Sequence, residues 1–364
     1  MPVEFIGMIS TKDQSETRLT AGPVIDRGYV RRFARAHEDA GFDRVLIGYA
    51  SSQPDGAQVA AYAAACTERL SFLIAHRPGF VAPTLAARQF ATLDQFSGGR
   101  VAVHTITGGS DTEQRRDGDY LDHDERYART DEYLGILRQT WESPEAFGHD
   151  GPYYRFEDHY AEVKPAHRIP LYFGGSSAAA YRVGGQHADT FALWGEPLAE
   201  TAEQIASVNR YADAAGRPHP RIWVSFRPII AATDELAWEK AHRTLDRVRA
   251  ARPARAATSH YPTAEQGRPA NVGSQRLLEV AARGELHDRA LWTPLVTATN
   301  AAGSSTALVG SYETVAAALL DYVDIGCELL SVRGYDPLND AIDLARHVLP
   351  LVRQELAHRS AYTH

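Results

Sequence analysis

Leu70-Ser71-Phe72-Leu73-Ile74-Ala75-His76, followed by Pro83-Thr84-Leu85-Ala86-Ala87-Arg88-Gln89 and then by Val101-Ala102-Val103-His104-Thr105-Ile106-Thr107, decides the fold. Two short apolar runs flank a helix-like segment, and that alternation predicts a βαβ unit in a parallel sheet. The pattern extends in both directions. Further runs at Val3–Ser10, Arg44–Tyr49, Ile169–Gly174, Thr190–Trp194, Ile222–Ala231 and Glu328–Arg333 bring the total to eight, most of them followed by a helix-like stretch. Eight such units predict an α/β protein, a (β/α)8 TIM barrel with insertion loops at the C-terminal face of its strands. A chain of 364 residues suits one such domain, 1–364, and function is then sought at the last residue of each strand and in the loop after it.

The composition narrows the class. A net charge of -8 argues against a nucleic-acid binder, which carries a basic face. The two cysteines, Cys66 and Cys327, form no metal-spaced pair and no disulfide framework, so a reducing, cytoplasmic setting is expected. The opening Met-Pro-Val-Glu-Phe enters a strand at once, with no basic segment and long apolar run of a signal peptide. No apolar run is long enough to span a bilayer, so no membrane partner is expected.

Along the chain, a polar loop, Thr11–Gly22, follows the first strand, and a helix over Ile25–Ala40 stops at Gly41. Asp55 is placed to cap a second helix, Gly56–Cys66. A polar excursion, Ser110–Arg129, is expected before a helix at Thr130–Trp141, and Glu142–His167 reads as a loop with a small hairpin. Pro228 interrupts the seventh run and makes its geometry less regular. Residues Arg249–Asn300 fit no simple βα unit: a basic, Pro- and Gly-rich stretch, Arg249–Gly273, precedes one helix-like segment, Ser274–Arg283. An insertion after strand seven of a barrel hangs over the mouth, so 249–300 is expected to be a lid.

Three constellations carry chemistry. Gly174-Gly175-Ser176-Ser177 lies between a β-run and a helix, where glycines let the backbone approach an anion and helix N–H groups point at it. That suits a phosphate; a tight turn with an N-cap serine would have the same sequence. In His123-Asp124-Glu125-Arg126-Tyr127, a helix would bring the His123 imidazole and the Tyr127 phenol to one face. Finally, His76, Arg77, His104, Arg227 and Arg333 all fall at or near strand ends, and cations gathered on an acidic protein suggest a small anionic ligand. Arg333 has an alternative in pairing with Asp336 or another carboxylate, and Trp194 and Tyr335 would either wall a planar ring or pack. Phosphate-loop, nucleophile-elbow and His-Glu-x-x-His motifs are missing.

The run Pro83-Thr84-Leu85-Ala86-Ala87-Arg88-Gln89-Phe90-Ala91-Thr92-Leu93-Asp94-Gln95-Phe96-Ser97-Gly98-Gly99-Arg100 resembles the bacterial-luciferase-like flavin monooxygenases, and among them the alkanesulfonate monooxygenases. Thr107-Gly108, Leu121 to Tyr127, Leu171 to Ser177, Trp194-Gly195-Glu196-Pro197, Thr306 to Gly310 and Gly334-Tyr335 extend the resemblance over nearly the whole chain. It implies a (β/α)8 barrel that uses O2 and reduced FMN (FMNH2) supplied by a separate NAD(P)H-dependent FMN reductase. It places the FMN phosphate on Gly175, Ser176, Ser177 and Tyr127, with His76, His104, Thr107 and His123 near the flavin. It implies cleavage of an organosulfonate C–S bond to sulfite and an aldehyde, with His104, Trp194, Arg227, Arg333 and Tyr335 as candidate catalytic residues, no metal, and a homodimer or homotetramer. The chain also departs from the pattern. Gln53 stands where those enzymes carry a cysteine, Ser225 and Arg227 where they carry Arg-x-His, Ala301 near their lid arginine, and His104 for an asparagine. Arg333 replaces a small residue, so cationic contacts would come from new places. These departures keep other substrates open, namely a sulfone, an amine or a ketone. Other readings are a deazaflavin-dependent oxidoreductase and a barrel that has lost catalysis.

Overall fold

The computed structural model describes residues 3–18, 22–258, 269–303 and 305–362. Among the described residues, eight parallel strands form the barrel: Glu4–Ile9, Arg44–Ile47, Ser71–His76, Val101–Thr105, Leu171–Gly174, Thr190–Trp194, Arg221–Ala231 and Cys327–Val332. They follow one another in hydrogen-bonded order, the eighth beside the first, and a further pairing of the sixth with the seventh closes the ring. The architecture is the (β/α)8 TIM barrel that the apolar runs predict, and each strand coincides with one of the eight runs.

The chain divides into two compact units, Met1–Val45 with Ala192–Ala206 and Arg221–His364, and Leu46–Phe191 with Ser207–Pro220. In the first, the strand starting at Glu4 pairs with the eighth in the register Glu4↔Leu329, and the eighth pairs with the seventh through Val332↔Phe226. An extra strand, Ala307–Ser311, takes up the far end of the seventh from Arg227 to Ala231. The seventh strand is therefore unbroken at Pro228. Its pairing with the eighth ends at Phe226, so the missing N–H of Pro228 costs that ladder nothing. In the second unit, the third, fourth and fifth strands pair in parallel, with Phe72, Leu73, Ile74, Val101, Val103, Leu171 and Phe173 buried. Strands buried on both faces read as continuous apolar runs, which is why they were visible in the sequence.

Local signals set most helix ends. Asp26 accepts from the N–H of Tyr29 and Asp55 from that of Gln58, opening helices Arg27–Asp39 and Gly56–Ala64. The long helix of the second unit runs over His123–Glu142 and does not begin at Thr130. A reciprocal capping box, Asp122 with Glu125, satisfies the first orphan donors and starts it seven residues earlier. The excursion before it also contains a short helix, Asp111–Arg116, and the expected hairpin is present as Phe147–Asp150 paired with Arg155–His159.

The stretch Arg249–Gly273 differs most from expectation. The helix Asp234–Thr258 continues through Arg249 with Pro253 inside it. Residues 259–268 lie outside the described residues, and chain 269–300 forms helix Val272–Arg283, two two-residue antiparallel strands and helix Pro294–Ala298. Helix Val272–Arg283 is anchored by a fork from Arg276 to Glu196, at 2.9 and 2.7 Å, and by Leu277 packed with Val296 and Ala301. Among the described residues, no helix is long and apolar enough to cross a membrane.

Candidate active site

The second unit carries a seat of neutral donors. Strand Leu171–Gly174 ends, Gly175 turns with φ +142, and Ser177 caps helix Ala178–His187 by accepting from the N–H of Ala180 at 3.1 Å. A Cβ on Gly175 would meet the Cβ of Ala180 at 2.7 Å and the hydroxyl of Tyr127 at 3.1 Å, so only glycine leaves this approach open. The Tyr127 phenol interacts with the hydroxyls of Ser177 and Thr107, and Thr107 lies 3.4 Å from the Thr130 hydroxyl. Burial raises the Tyr127 hydroxyl above its ordinary value, so it remains a proton donor at neutral pH. Ser177, Tyr127 and the N-terminus of helix Ala178–His187 thus gather neutral polar groups beside the glycine turn.

His123 and Tyr127 share a helix face, with ring centroids 4.8 Å apart. The His123 ring is about half exposed and its Nδ1 lies 2.7 Å from Asp124. His76 and His104 end or approach the ends of strands three and four. His76 Nε2 is 2.7 Å from the Tyr133 hydroxyl and its ring meets Phe90 edge-on at 5.1 Å. Burial pushes both imidazoles down to about 4, so both are neutral at neutral pH rather than cationic. Arg77, 4% exposed, pairs with Glu113 at 3.0 Å and lies over the Tyr49 ring.

The first unit carries the charged cluster. Arg227, at the strand-seven end and 3% exposed, donates from Nε to the carbonyl of Arg333 at 2.8 Å. Its two Nη groups fork onto Glu16 at 3.0 and 2.9 Å, one of them also reaching the Gly334 carbonyl, and its plane lies 4.0 Å from the Tyr335 ring centre. Arg333 donates to the same carboxylate at 3.1 Å and lies 3.0 Å from the sulfur of Met8. Glu16 is thus the other carboxylate that the sequence left open as a partner for Arg333. Burial would raise the Glu16 carboxyl, but Arg227 and then Arg333 outweigh it and hold it well below the usual carboxylate range. The Tyr335 hydroxyl is buried without a hydrogen-bond partner among the described residues, and burial pushes it up to about 12. Asp340 anchors this corner by accepting the N–H groups of Tyr335 and Asp336 and pairing with Lys240 at 3.0 Å. Trp194, partly buried, packs against Leu277, Val296 and Ala301. The residues standing at the family's substrate positions are a buried Ala301 with φ +51, a half-buried Ser225 and an exposed Gln53.

The strand-end cations are thus largely answered within the protein. Glu16 and Glu113 supply the carboxylates, and neither was singled out from the sequence. Among the described residues, no group of three or more His, Cys, Asp or Glu side chains is gathered for a metal ion.

The barrel carries a glycine–serine turn after strand five in one unit and a charged cluster at the ends of strands seven and eight in the other. The chain belongs to the luciferase-like monooxygenase family, whose sequence model matches residues 3–329. Its class is that of a flavin-dependent monooxygenase. Several solved structures share the fold. A riboflavin lyase, RcaE, solved with modified FMN and riboflavin, is 23% identical over 98% of this chain and 92% of that one, with a TM-score of 0.79. The EDTA monooxygenase EmoA from Chelativorans sp. BNC1 is 16% identical over 98% and 94%, with a TM-score of 0.76. An F420-dependent secondary alcohol dehydrogenase is 17% identical over 97% and 99%, with a TM-score of 0.69.

Proposed function

We propose that this protein is the oxygenating component of a two-component monooxygenase that takes FMNH2 from a separate NAD(P)H-dependent FMN reductase and uses O2. The observation that carries the reading is the cradle at Gly175, where the Tyr127 hydroxyl and the N-terminus of helix Ala178–His187 converge. These residues fit a phosphate: neutral donors and a backbone that approaches closely. Bound there, reduced FMN would supply the electrons for oxygen activation. The chain's own residues do the rest. Ser176, Ser177 and Tyr127 hold the phosphate, Thr107 orients the Tyr127 hydroxyl, and His76, His104 and His123 flank the flavin. The segment 249–300 acts as a lid that excludes water. The assembly is a homodimer or homotetramer in the cytoplasm.

For the substrate, the sequence argues for an organosulfonate cleaved to sulfite and an aldehyde, with Arg333, whose side chain is 30% exposed, as the cation facing it and Trp194 and Tyr335 beside it. One observation favours a second reading, a sulfone, amine or ketone: Arg227 spends Nε and both Nη groups on Glu16 and on backbone carbonyls. The test adds oxygen and a substrate panel to the protein loaded anaerobically with FMNH2, and reads sulfite. Sulfite from an alkanesulfonate or sugar sulfonate supports the first reading. Oxygenated sulfone, amine or ketone without sulfite supports the second. Binding of reduced F420 in place of FMNH2 overturns the cofactor.

A further inference from the structure

The short helix Asp111–Arg116 of the second unit is pinned by its acids. Asp111 accepts from Arg126 at 2.8 Å, and Glu113 accepts from Arg77 and from the Ser51 N–H, both at 3.0 Å. The two acids just past its end are held as well, Asp117 by the Tyr49 hydroxyl at 3.0 Å and Asp119 by Arg129 at 2.5 Å. On this fastened turn Gln114 is 0% exposed. Its backbone is satisfied: the N–H donates to the Ser110 carbonyl, and its own carbonyl accepts from Asp117 and Asp119, all at 3.1 Å. Its side chain is not. Neither Nε2 nor Oε1 has a hydrogen-bond partner among the described residues. The carboxamide lies against Gly108, where φ is +100 and an added Cβ would come within 2.5 Å of the Gln114 Cδ. Gly108 follows Thr107, whose hydroxyl interacts with that of Tyr127 at the Gly175 seat. Burying a carboxamide with donor and acceptor both unmade is costly, and such a group calls for a reason.

We propose that Gln114 is a binding residue for a polyol, the hydroxyl-bearing chain that lies next to the phosphate in FMN. The inference rests on the FMN reading for the source of that chain. A carboxamide offers N–H donors and a carbonyl acceptor, and a hydroxyl both donates and accepts, so the two answer each other without charge. The acids of the turn are already held by partners, which suits a neutral group beside them. With no hydrogen bond to break, the Gln114 side chain can turn to meet the ligand without loss, and binding then satisfies what the ligand-free protein leaves unmade.

The experiment uses the full-length protein and Gln114→Met, which keeps the length and volume of the side chain. Both are titrated anaerobically with reduced riboflavin and with reduced lumiflavin, which lacks the ribityl hydroxyls, and both are unfolded in urea without ligand. Gln114→Met is expected to weaken riboflavin about tenfold with lumiflavin unmoved. It is also expected to raise the urea midpoint by about 0.3 M, because an unpaired buried amide is gone. A structural glutamine would do the reverse, so a lower midpoint or a failure to fold overturns the proposal. Unchanged riboflavin affinity, or an equal loss for the two flavins, overturns it as well. If wild type binds neither flavin, the cofactor reading fails, and an NMR titration with ribitol 5-phosphate and inorganic phosphate decides. Tighter binding of ribitol 5-phosphate, weakened about tenfold in Gln114→Met, keeps the polyol site with a sugar as its source; equal binding of the two probes overturns it.

Discussion

The two clusters are built from opposite materials, one from neutral polar groups and one from full charges. The seat around Gly175 uses hydroxyls and backbone N–H groups, and Tyr127 remains a protonated donor because it is buried. The cluster around Arg227 uses two full charges, and so needs Glu16 inside it to offset the desolvation of a guanidinium that is 97% buried. Neutral donors are preorganised by a turn and a helix end and need no counter-ion. Guanidiniums need one, and here Glu16 supplies it. One region should therefore respond to changes in geometry, the other to changes in charge.

Arg227→Ala should be the harshest break. It leaves Glu16 with Arg333 alone and removes the support under Tyr335, and unfolding by urea should show a loss of about 3 kcal/mol. Reduced-FMN affinity of the folded fraction should be unchanged; a parallel loss would tie Arg227 to the flavin. Gly175→Ala comes next. The added Cβ must displace Tyr127 or Ala180 at a positive φ, and reduced-FMN affinity should fall roughly thirtyfold in an anaerobic titration, with stability in urea much less affected than in Arg227→Ala.

Acidification separates the regions again. Unfolded imidazoles take up protons below about 6.5, but buried His76 and His104 resist until about 4, so stability should fall as pH drops through that interval. His104→Gln should soften that fall by about 1 kcal/mol in urea melts at pH 4.5. Glu16 acts in a lower window. Its carboxyl is depressed in the folded state, so its stabilisation is complete above its unfolded value near 4.5 and is lost only as pH falls below it. The smallest effect belongs to His123→Gln. With its ring half exposed beside Tyr127, its removal should weaken reduced FMN no more than about threefold by the same titration.

How much of this was legible in the chain depended on how local each signal is. The eight strands were readable because each buried strand carries its own apolar run, and Asp55 and Ser177 because a cap acts within three residues. The seat was readable for the same reason: Gly175 and Ser177 are neighbours, and His123 and Tyr127 are one helical turn apart. Glu16 was not. It sits in the polar loop Thr11–Gly22, and its partners lie 211 and 317 residues away, so nothing near it in sequence marks it. The start of the Arg249–Gly273 stretch was not legible as helix because its Pro and Gly content carries no helical period. The helix Asp234–Thr258 instead carries through Pro253, its earlier turns held by Ala237, Ala241, Leu245 and Val248 in the core with Trp292 and Leu295. Packing outweighed propensity there.

The most direct test of the central claim is an anaerobic comparison of reduced FMN with reduced riboflavin, by fluorescence titration, on wild type and Tyr127→Phe. The account predicts that wild type prefers FMN, and that Tyr127→Phe loses about tenfold of FMN affinity while riboflavin is unmoved, because only the phosphate meets that hydroxyl. Equal affinity of wild type for the two flavins, or no binding of either, would contradict it.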